Sequence, residues 1–124
     1  MKKLYIIRGL PGSGKTTLAH TLSGIRHKEA DMYFCLSGAY KYNADKIRYA
    51  HDWCYDEIEK LLNQSDDDCS VSNTFSEKWE YERYVILANK YKFEPFIIEC
   101  QNDFGSIHGV PVETIKKMRD RFQR

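Results

Sequence analysis

The sequence predicts an α/β fold in three layers, a mostly parallel sheet of about four strands flanked by helices. Three observations predict it. Short apolar runs alternate with longer segments whose apolar residues recur every three or four positions, the order of a parallel sheet with crossover helices. A glycine-rich turn, Gly9-Leu10-Pro11-Gly12-Ser13-Gly14-Lys15-Thr16, joins the first run to the first periodic segment. The length, 124 residues, suits a single domain spanning 1–124, with one real core.

The elements follow in order. Strand one is predicted over Lys3 to Arg8, around the apolar run Leu4 to Ile7. Helix one runs from about Gly14 to Ser23, with Leu18 and Leu22 one turn apart and Gly24 as its stop. Strand two is short, from Arg26 to Ala30, and ends at Asp31. Residues 32–43 read as a loop, apolar enough to pack over a core edge or a substrate. Helix two, from Asn43 or Ala44 to Asn63, places Ile47, Ala50, Cys54, Ile58 and Leu61 at helical spacing. The acidic run Ser65 to Asp68 reads as a solvated turn. Strand three is Cys69 to Asn73. Helix three starts near Ser76 as N-cap, with Trp79 where a capping box carries Glu, and buries Tyr81, Tyr84, Val85, Ala88 and Tyr91. Strand four is Phe93 to Cys100. After a glycine-containing loop, Pro111 opens helix four, which runs to Phe122. One face of that helix is apolar (Val112, Ile115, Met118, Phe122); the other is basic (Lys116, Lys117, Arg119, Arg121).

Composition narrows the function classes. The net charge of +1 provides no global field for nucleic acid, though it leaves room for a local basic patch. The four cysteines are widely spaced, without a C-x-x-C pair, which argues against a zinc site. Cys69 and Cys100 lie in apolar runs and read as small core residues. No segment approaches the length of a membrane span, and the N-terminal apolar run is too short for a signal peptide, so a reducing, cytoplasmic setting is expected.

The spacing G-x-x-x-x-G-K-T, between a predicted strand and a predicted helix, is the phosphate-binding loop of a P-loop NTPase fold. Its glycines and the helix N-terminus favour an anion. Lys15 is then expected to reach the β- and γ-phosphates, and the Thr16 hydroxyl to hold Mg²⁺, with ATP as the nucleotide. Ligands of such sheets bind at the carboxyl ends of the strands. Asp31, after strand two, is a candidate general base; a magnesium-shell ligand and a turn cap are the alternatives. Asn73 and Thr74, after strand three, suit either a phosphate or acceptor contact or a side-chain turn. Strand three has no acid at its end, and Glu99 is the remaining candidate for one. The guanine-reading N-K-x-D pattern is absent, since Asn89-Lys90-Tyr91-Lys92 carries Lys where Asp is required. Arg48, Arg83, Lys116, Arg119 and Arg121 are the candidates for a cation over the γ-phosphate. Trp53 reads as core, and His51 as a partner for a backbone carbonyl.

The chain resembles the polynucleotide-kinase-type P-loop kinases, a family frequent in bacteriophages that includes phage hydroxymethylpyrimidine DNA kinases. Gly9 to Thr17 matches the loop GxPGSGK[ST]T, including Pro11, Gly12, Ser13, Gly14 and Thr17. Asp31-Met32-Tyr33-Phe34 matches DDYF in part. Ala50-His51-Asp52-Trp53-Cys54 matches AHxWC, Ser72-Asn73-Thr74-Phe75 matches DNTN in part, and His108-Gly109-Val110-Pro111 matches HGVP. The resemblance implies Asp31 as base toward the acceptor hydroxyl, Lys15 and Thr16 on phosphate and Mg²⁺, Asn73 and Thr74 along the acceptor side, and the His108 segment near the lid. Tyr33, Arg48 and His108 complete the candidate substrate-binding residues. Two acids of the family pattern are replaced, by Met32 and Ser72, and Gln101 to Ile107 lacks the arginine usual in a lid.

Three functions stand at this point. The first is ATP-dependent phosphoryl transfer to a hydroxyl of a nucleic acid or nucleotide, for which Tyr33, Tyr40, Lys41, Tyr42 and Arg48 supply a basic, aromatic groove. The second is a kinase of small molecules or nucleosides. The third is a non-catalytic nucleotide-binding module, favoured by the missing acids.

Overall fold

The computed structural model describes residues 1–101 and 112–123. Strand β1 (Lys3–Gly9) holds Leu4, Ile6 and Ile7, all fully buried. It lies between β3 (Cys69–Asn73) and β4 (Glu94–Cys100) and runs parallel to both. Strand β2 (His27–Lys28) pairs in parallel with the far side of β3, giving the order β2-β3-β1-β4.

The two-residue period of the strands sorts the layers. Leu4, Ile6, Cys69 and Val71 join the main core with Ala50, Cys54, Ile58 and Leu62 of α2 (Ile47–Gln64) and Tyr84, Leu87 and Ala88 of α3 (Lys78–Lys90). Each buried Leu or Ile there stabilises the fold by roughly 1.5–3 kcal/mol. Ser70 turns to the opposite face, where its hydroxyl meets Ser23 of α1 (Lys15–Ser23) at 2.6 Å. The acidic turn is stitched to its neighbours: Asp68 accepts the Lys3 N–H at 2.9 Å, and Arg26 pairs with Asp67 at 3.4 Å.

Several elements depart from the sequence reading. Strand two contracts to two residues, and Asp31 lies instead in the first turn of a 3₁₀ helix, Ala30–Cys35. The cause is Asn73, whose buried Oδ1 accepts the Ala30 N–H at 2.8 Å and draws that backbone out of the ladder. Residues 32–43 are therefore partly helical. Helix two begins with a 3₁₀ turn, Ala44–Lys46, capped by the Asn43 side chain on the Asp45 N–H. Its buried row is Ala50, Cys54, Ile58 and Leu62, so Leu62 takes the place expected of Leu61, while Ile47 at the open first turn stays exposed.

Helix α3 is capped by Glu77, not Ser76. Glu77 and Glu80 form a full capping box one residue later than the sequence reading placed it. The Ser76 carbonyl is engaged elsewhere, by Arg8 and by the Gln123 N–H. In β4 the apolar residues Phe96 and Ile97 are exposed, because β4 is an outer strand of the described sheet. Cys69 is buried as expected, but Cys100 is only half-buried. Helix α4 (Val112–Arg121) keeps Lys116, Lys117, Arg119 and Arg121 exposed, with Met118 and Phe122 half-buried. Pro111 and the side chains of Val112 and Ile115 lie outside the described residues.

Because Asn73 fixes the start of the 3₁₀ helix, Asn73→Ala strands a buried N–H. The expected cost is about 1–3 kcal/mol of stability by urea unfolding. Amide exchange should accelerate first in Ala30–Cys35.

Candidate active site

The glycine loop between β1 and α1 is built by close approach. A Cβ placed on Gly9 would sit 2.4 Å from Ser13 Oγ and 2.7 Å from the Cys100 carbonyl, so no other residue fits. Gly12 and Gly14 take positive φ, 82° and 91°, a region costly for side chains with a Cβ. Gly14 is the N-cap of α1 and has no side chain to offer, so no side chain caps the first-turn N–H groups. The Lys15 ammonium folds over the loop and donates to the carbonyls of Gly9 (2.9 Å) and Leu10 (3.1 Å). Burial lowers its pKa, while the charges of Glu29, Cys100 and Asp31 oppose that shift. Ser13 Oγ is buried and finds no hydrogen-bond partner among the described residues.

Glu29, which the sequence reading passed over, is an acid held by three side chains at this end of the sheet. Its Oε2 accepts from Thr16 Oγ1 (3.0 Å) and Ser72 Oγ (2.8 Å), and His27 Nε2 lies 3.2 Å away. Burial raises its pKa, but the hydrogen bonds from His27 and Ser72, the charge of His27 and the Thr16 hydroxyl outweigh it and hold the carboxyl at about 2. The imidazole of His27 is in turn held by Ser70 Oγ at 2.9 Å, and Ser70 by Ser23. One signal was available: Glu29 is the only acid between the glycine loop and Asp31.

Asp31 is not alone, as a position at a bare strand end would leave it. Tyr40 donates its hydroxyl to Asp31 Oδ1 at 2.9 Å; partial burial and this carboxylate push the phenol pKa up. Asp31 is close enough to the loop for its charge to raise the Lys15 pKa. Tyr33 packs edge-on against Phe34 (5.6 Å between centroids) and at a tilt against Trp53 (6.2 Å). Phe34 also meets Tyr40 and Tyr42, both exposed, so an aromatic patch borders Asp31. Trp53 is thus half-buried in this patch rather than deep in the core, with Lys28 over its ring.

The remaining sequence candidates fall in different places. Asn73 is buried and serves a distant backbone group, the Ala30 N–H, rather than a local side-chain turn, with Nδ2 directed to Cys54 Sγ. The Thr74 carbonyl accepts from the Gly9 N–H at 3.3 Å, so Thr74 does sit beside the loop. Thr16 and Thr17 are exposed at the start of α1, and Arg48 is exposed in the first turn of α2. Arg83 is taken up between helices, bonding the His51 carbonyl and pairing with Asp52. Burial lowers the His51 pKa. The strand register sets Glu99 beside Arg8, whose guanidinium donates to the Phe75 carbonyl and stacks over Phe122 at 4.2 Å. His108 lies outside the described residues.

A parallel sheet whose first strand feeds a Gly-rich loop and a helix, with Lys and Thr at the helix start, defines a kinase-like P-loop α/β protein. The chain belongs to the AAA domain family, whose profile matches residues 4–107. Human NEDD4-binding protein 2 is 31% identical over 98% of this chain, which spans only 8% of that protein's length. A Chloroflexus aurantiacus protein described as a candidate kinase has 25% identity and a TM-score of 0.59, covering 80% of this chain and 59% of its own. The gluconokinase of Sinorhizobium meliloti shares the fold, with a TM-score of 0.63 at 12% identity, covering 98% of this chain and 75% of its own. No helix among the described residues is long and apolar enough to cross a membrane.

The depressed Glu29 pKa has a signed consequence. A carboxyl held below its ordinary 4.5 stabilises the fold fully above that value and loses the contribution as pH falls toward about 2. Glu29→Gln should therefore flatten the acid limb of the stability curve in that window, removing up to about 3 kcal/mol. Urea titrations at stepped pH would measure the difference.

Proposed function

We propose that this chain is an ATP-dependent kinase that transfers a phosphoryl group to a hydroxyl of a nucleic acid or nucleotide. The observation that carries the reading is the juxtaposition of the glycine loop, its Lys15 ammonium and the Asp31 carboxylate at one end of the sheet. Three features fit a magnesium nucleotide there. Ser13 Oγ is a buried polar atom without a described partner. Gly9 keeps open a cradle that a Cβ would fill. Thr16 Oγ1 and the Glu29 carboxylate are hard oxygen donors side by side, suited to a small divalent cation.

Bound Mg²⁺–ATP supplies the transferable phosphoryl group and part of the charge neutralisation. The protein supplies the rest. Gly12, Ser13 and Gly14 present backbone around the phosphates, with Gly9, Pro11 and Thr17 fixing the ends of the loop. Lys15, whose ammonium donates to the Gly9 and Leu10 carbonyls, would hold the more strongly charged phosphate oxygens when nucleotide is bound. Asp31 accepts the proton of the acceptor hydroxyl, with its Oδ1 oriented by Tyr40. Tyr33, Tyr40 and Tyr42 offer faces on which a base of the acceptor stacks, which favours a nucleic acid or nucleotide over a sugar. Arg48, Thr74 and His108 complete the acceptor side in this reading, while Asn73 acts behind it by fixing the backbone that carries Asp31. A 5′-hydroxyl or the hydroxymethyl group of a modified pyrimidine in DNA is the finer assignment. The polynucleotide-kinase pattern of residues 9–17, 50–54 and 108–111 supports it.

The test is transfer of labelled γ-phosphate from Mg²⁺–ATP to 5′-hydroxyl DNA and RNA, hydroxymethylpyrimidine DNA and free nucleosides. One acceptor class should take label, and Lys15→Ala should lower transfer at least about 100-fold. Asp31→Asn should lower kcat by about 10²–10⁴ while nucleotide affinity stays within a few-fold. Normal transfer by Asp31→Asn rules out Asp31 as the base. Nucleotide binding without transfer to any acceptor favours a binding module instead.

A further inference from the structure

We propose that Glu29 replaces the acid missing from the end of β3. Its carboxylate, delivered from the strand next door, joins the Thr16 hydroxyl in receiving the divalent cation of the bound nucleotide. The inference rests on the nucleotide-binding part of the proposed function and adds the residue that supplies its acidic charge.

The resemblance of residues 72–75 to DNTN places an acid at position 72, and this chain has Ser there. Taken alone, the replacement weakens the acidic support that the resemblance implies around the magnesium or the substrate. The fold restores it from the side. β2 and β3 run parallel with His27 opposite Ser70 and Lys28 opposite Val71, so one step further along the same register sets Glu29 beside Ser72. Glu29 Oε2 then lies 2.8 Å from Ser72 Oγ and 3.0 Å from Thr16 Oγ1. The Ser72 hydroxyl turns from the expected ligand position into a donor that holds the replacement carboxylate.

His27 completes the arrangement as a positioning residue. Its ring, buried between the sheet and α1, stands 3.2 Å from the same oxygen, while its other nitrogen is fixed by Ser70. Among the described residues these three contacts all fall on Oε2, and Oε1 is the oxygen assigned here to a metal-bound water or the cation itself. A single carboxylate with a hydroxyl is enough, because Mg²⁺ in nucleotide sites keeps several waters and takes only one or two protein groups. A purely structural role, in which Glu29 only neutralises His27, explains the His27 contact. It does not explain why the same oxygen reaches Thr16 of the glycine loop.

The experiment is ATP binding by calorimetry in Mg²⁺ and in EDTA, with Mn²⁺ binding in the presence of ATP followed by electron paramagnetic resonance. The variants are Glu29→Gln and the transposed pair Glu29→Ser with Ser72→Asp. Wild type should bind ATP more tightly with the metal, and Glu29→Gln should lose about tenfold or more of that enhancement while metal-free affinity stays within a few-fold. The transposed pair should recover most of the enhancement and the Mn²⁺ signal. Retention of the full enhancement by Glu29→Gln overturns the proposal. So does a transposed pair that is folded by circular dichroism but shows no enhancement. Tight metal-dependent binding by wild type without transfer to any acceptor sinks the kinase reading and leaves this one standing; no nucleotide binding at all by wild type sinks both.

Discussion

The carboxyl end of the sheet is organised around one charge that has to be kept out of bulk water, the carboxylate of Glu29. A partly buried anion is tolerated only where donors replace its hydration. Here the donors come from three separate elements: Thr16 from α1, Ser72 from β3 and His27 from β2. Satisfying the charge therefore fixes the start of α1 against the ends of two strands. His27 passes the constraint on to Ser70 and Ser23, so a chain of side-chain hydrogen bonds runs between the sheet and α1, beside the buried Ile7 and Ala19.

The arrangement has a functional counterpart. The face toward α2 and α3 carries the burial that holds the domain together, through Leu4, Ile6, Val71, Cys54 and Tyr84. The face toward α1 carries the hydrogen-bonded chain of Ser23, Ser70, His27 and Glu29, whose bonds are directional and hold distances. A phosphate loop needs the second kind of support. Gly9 brings its backbone against Ser13 and Cys100, and the Lys15 amine is held by two carbonyls within reach of the charges of Glu29 and Asp31. Asn73 links the two faces. It is packed beside Cys54 in the core, yet its amide oxygen sets where the backbone leaves β2 and hence where Asp31 stands.

Some of this was legible in residue order. The phosphate loop announces itself because positive φ at Gly12 and Gly14 and close approach at Gly9 demand glycines at that spacing. The helical stripes Ala50, Cys54, Ile58 and Tyr84, Ala88 were legible because burial imposes the 3.6-residue period on the residues that bury. The capping box at Glu77 and Glu80 was present in the sequence and misplaced by one residue, since a Ser offers the more familiar cap. Glu29 was overlooked for a different reason. Its neighbours His27 and Lys28 are polar, and nothing in a polar tripeptide says which member turns inward. The end of strand two was misjudged because the residue that terminates it, Asn73, lies 43 positions away.

The sequence by itself determined the class of the protein: the alternation of strands and helices, the phosphate loop, and Asp31 as a candidate acid near it. These are local properties, written in the spacing of glycines and in short-range periodicity. Tertiary structure decided which acid faces Thr16, that Tyr40 orients Asp31, and that β4 lies at the sheet's edge with Phe96 and Ile97 exposed. Those outcomes depend on strand register and on which side chains share a desolvated space. Both are fixed only when distant segments pair, so no local pattern encodes them.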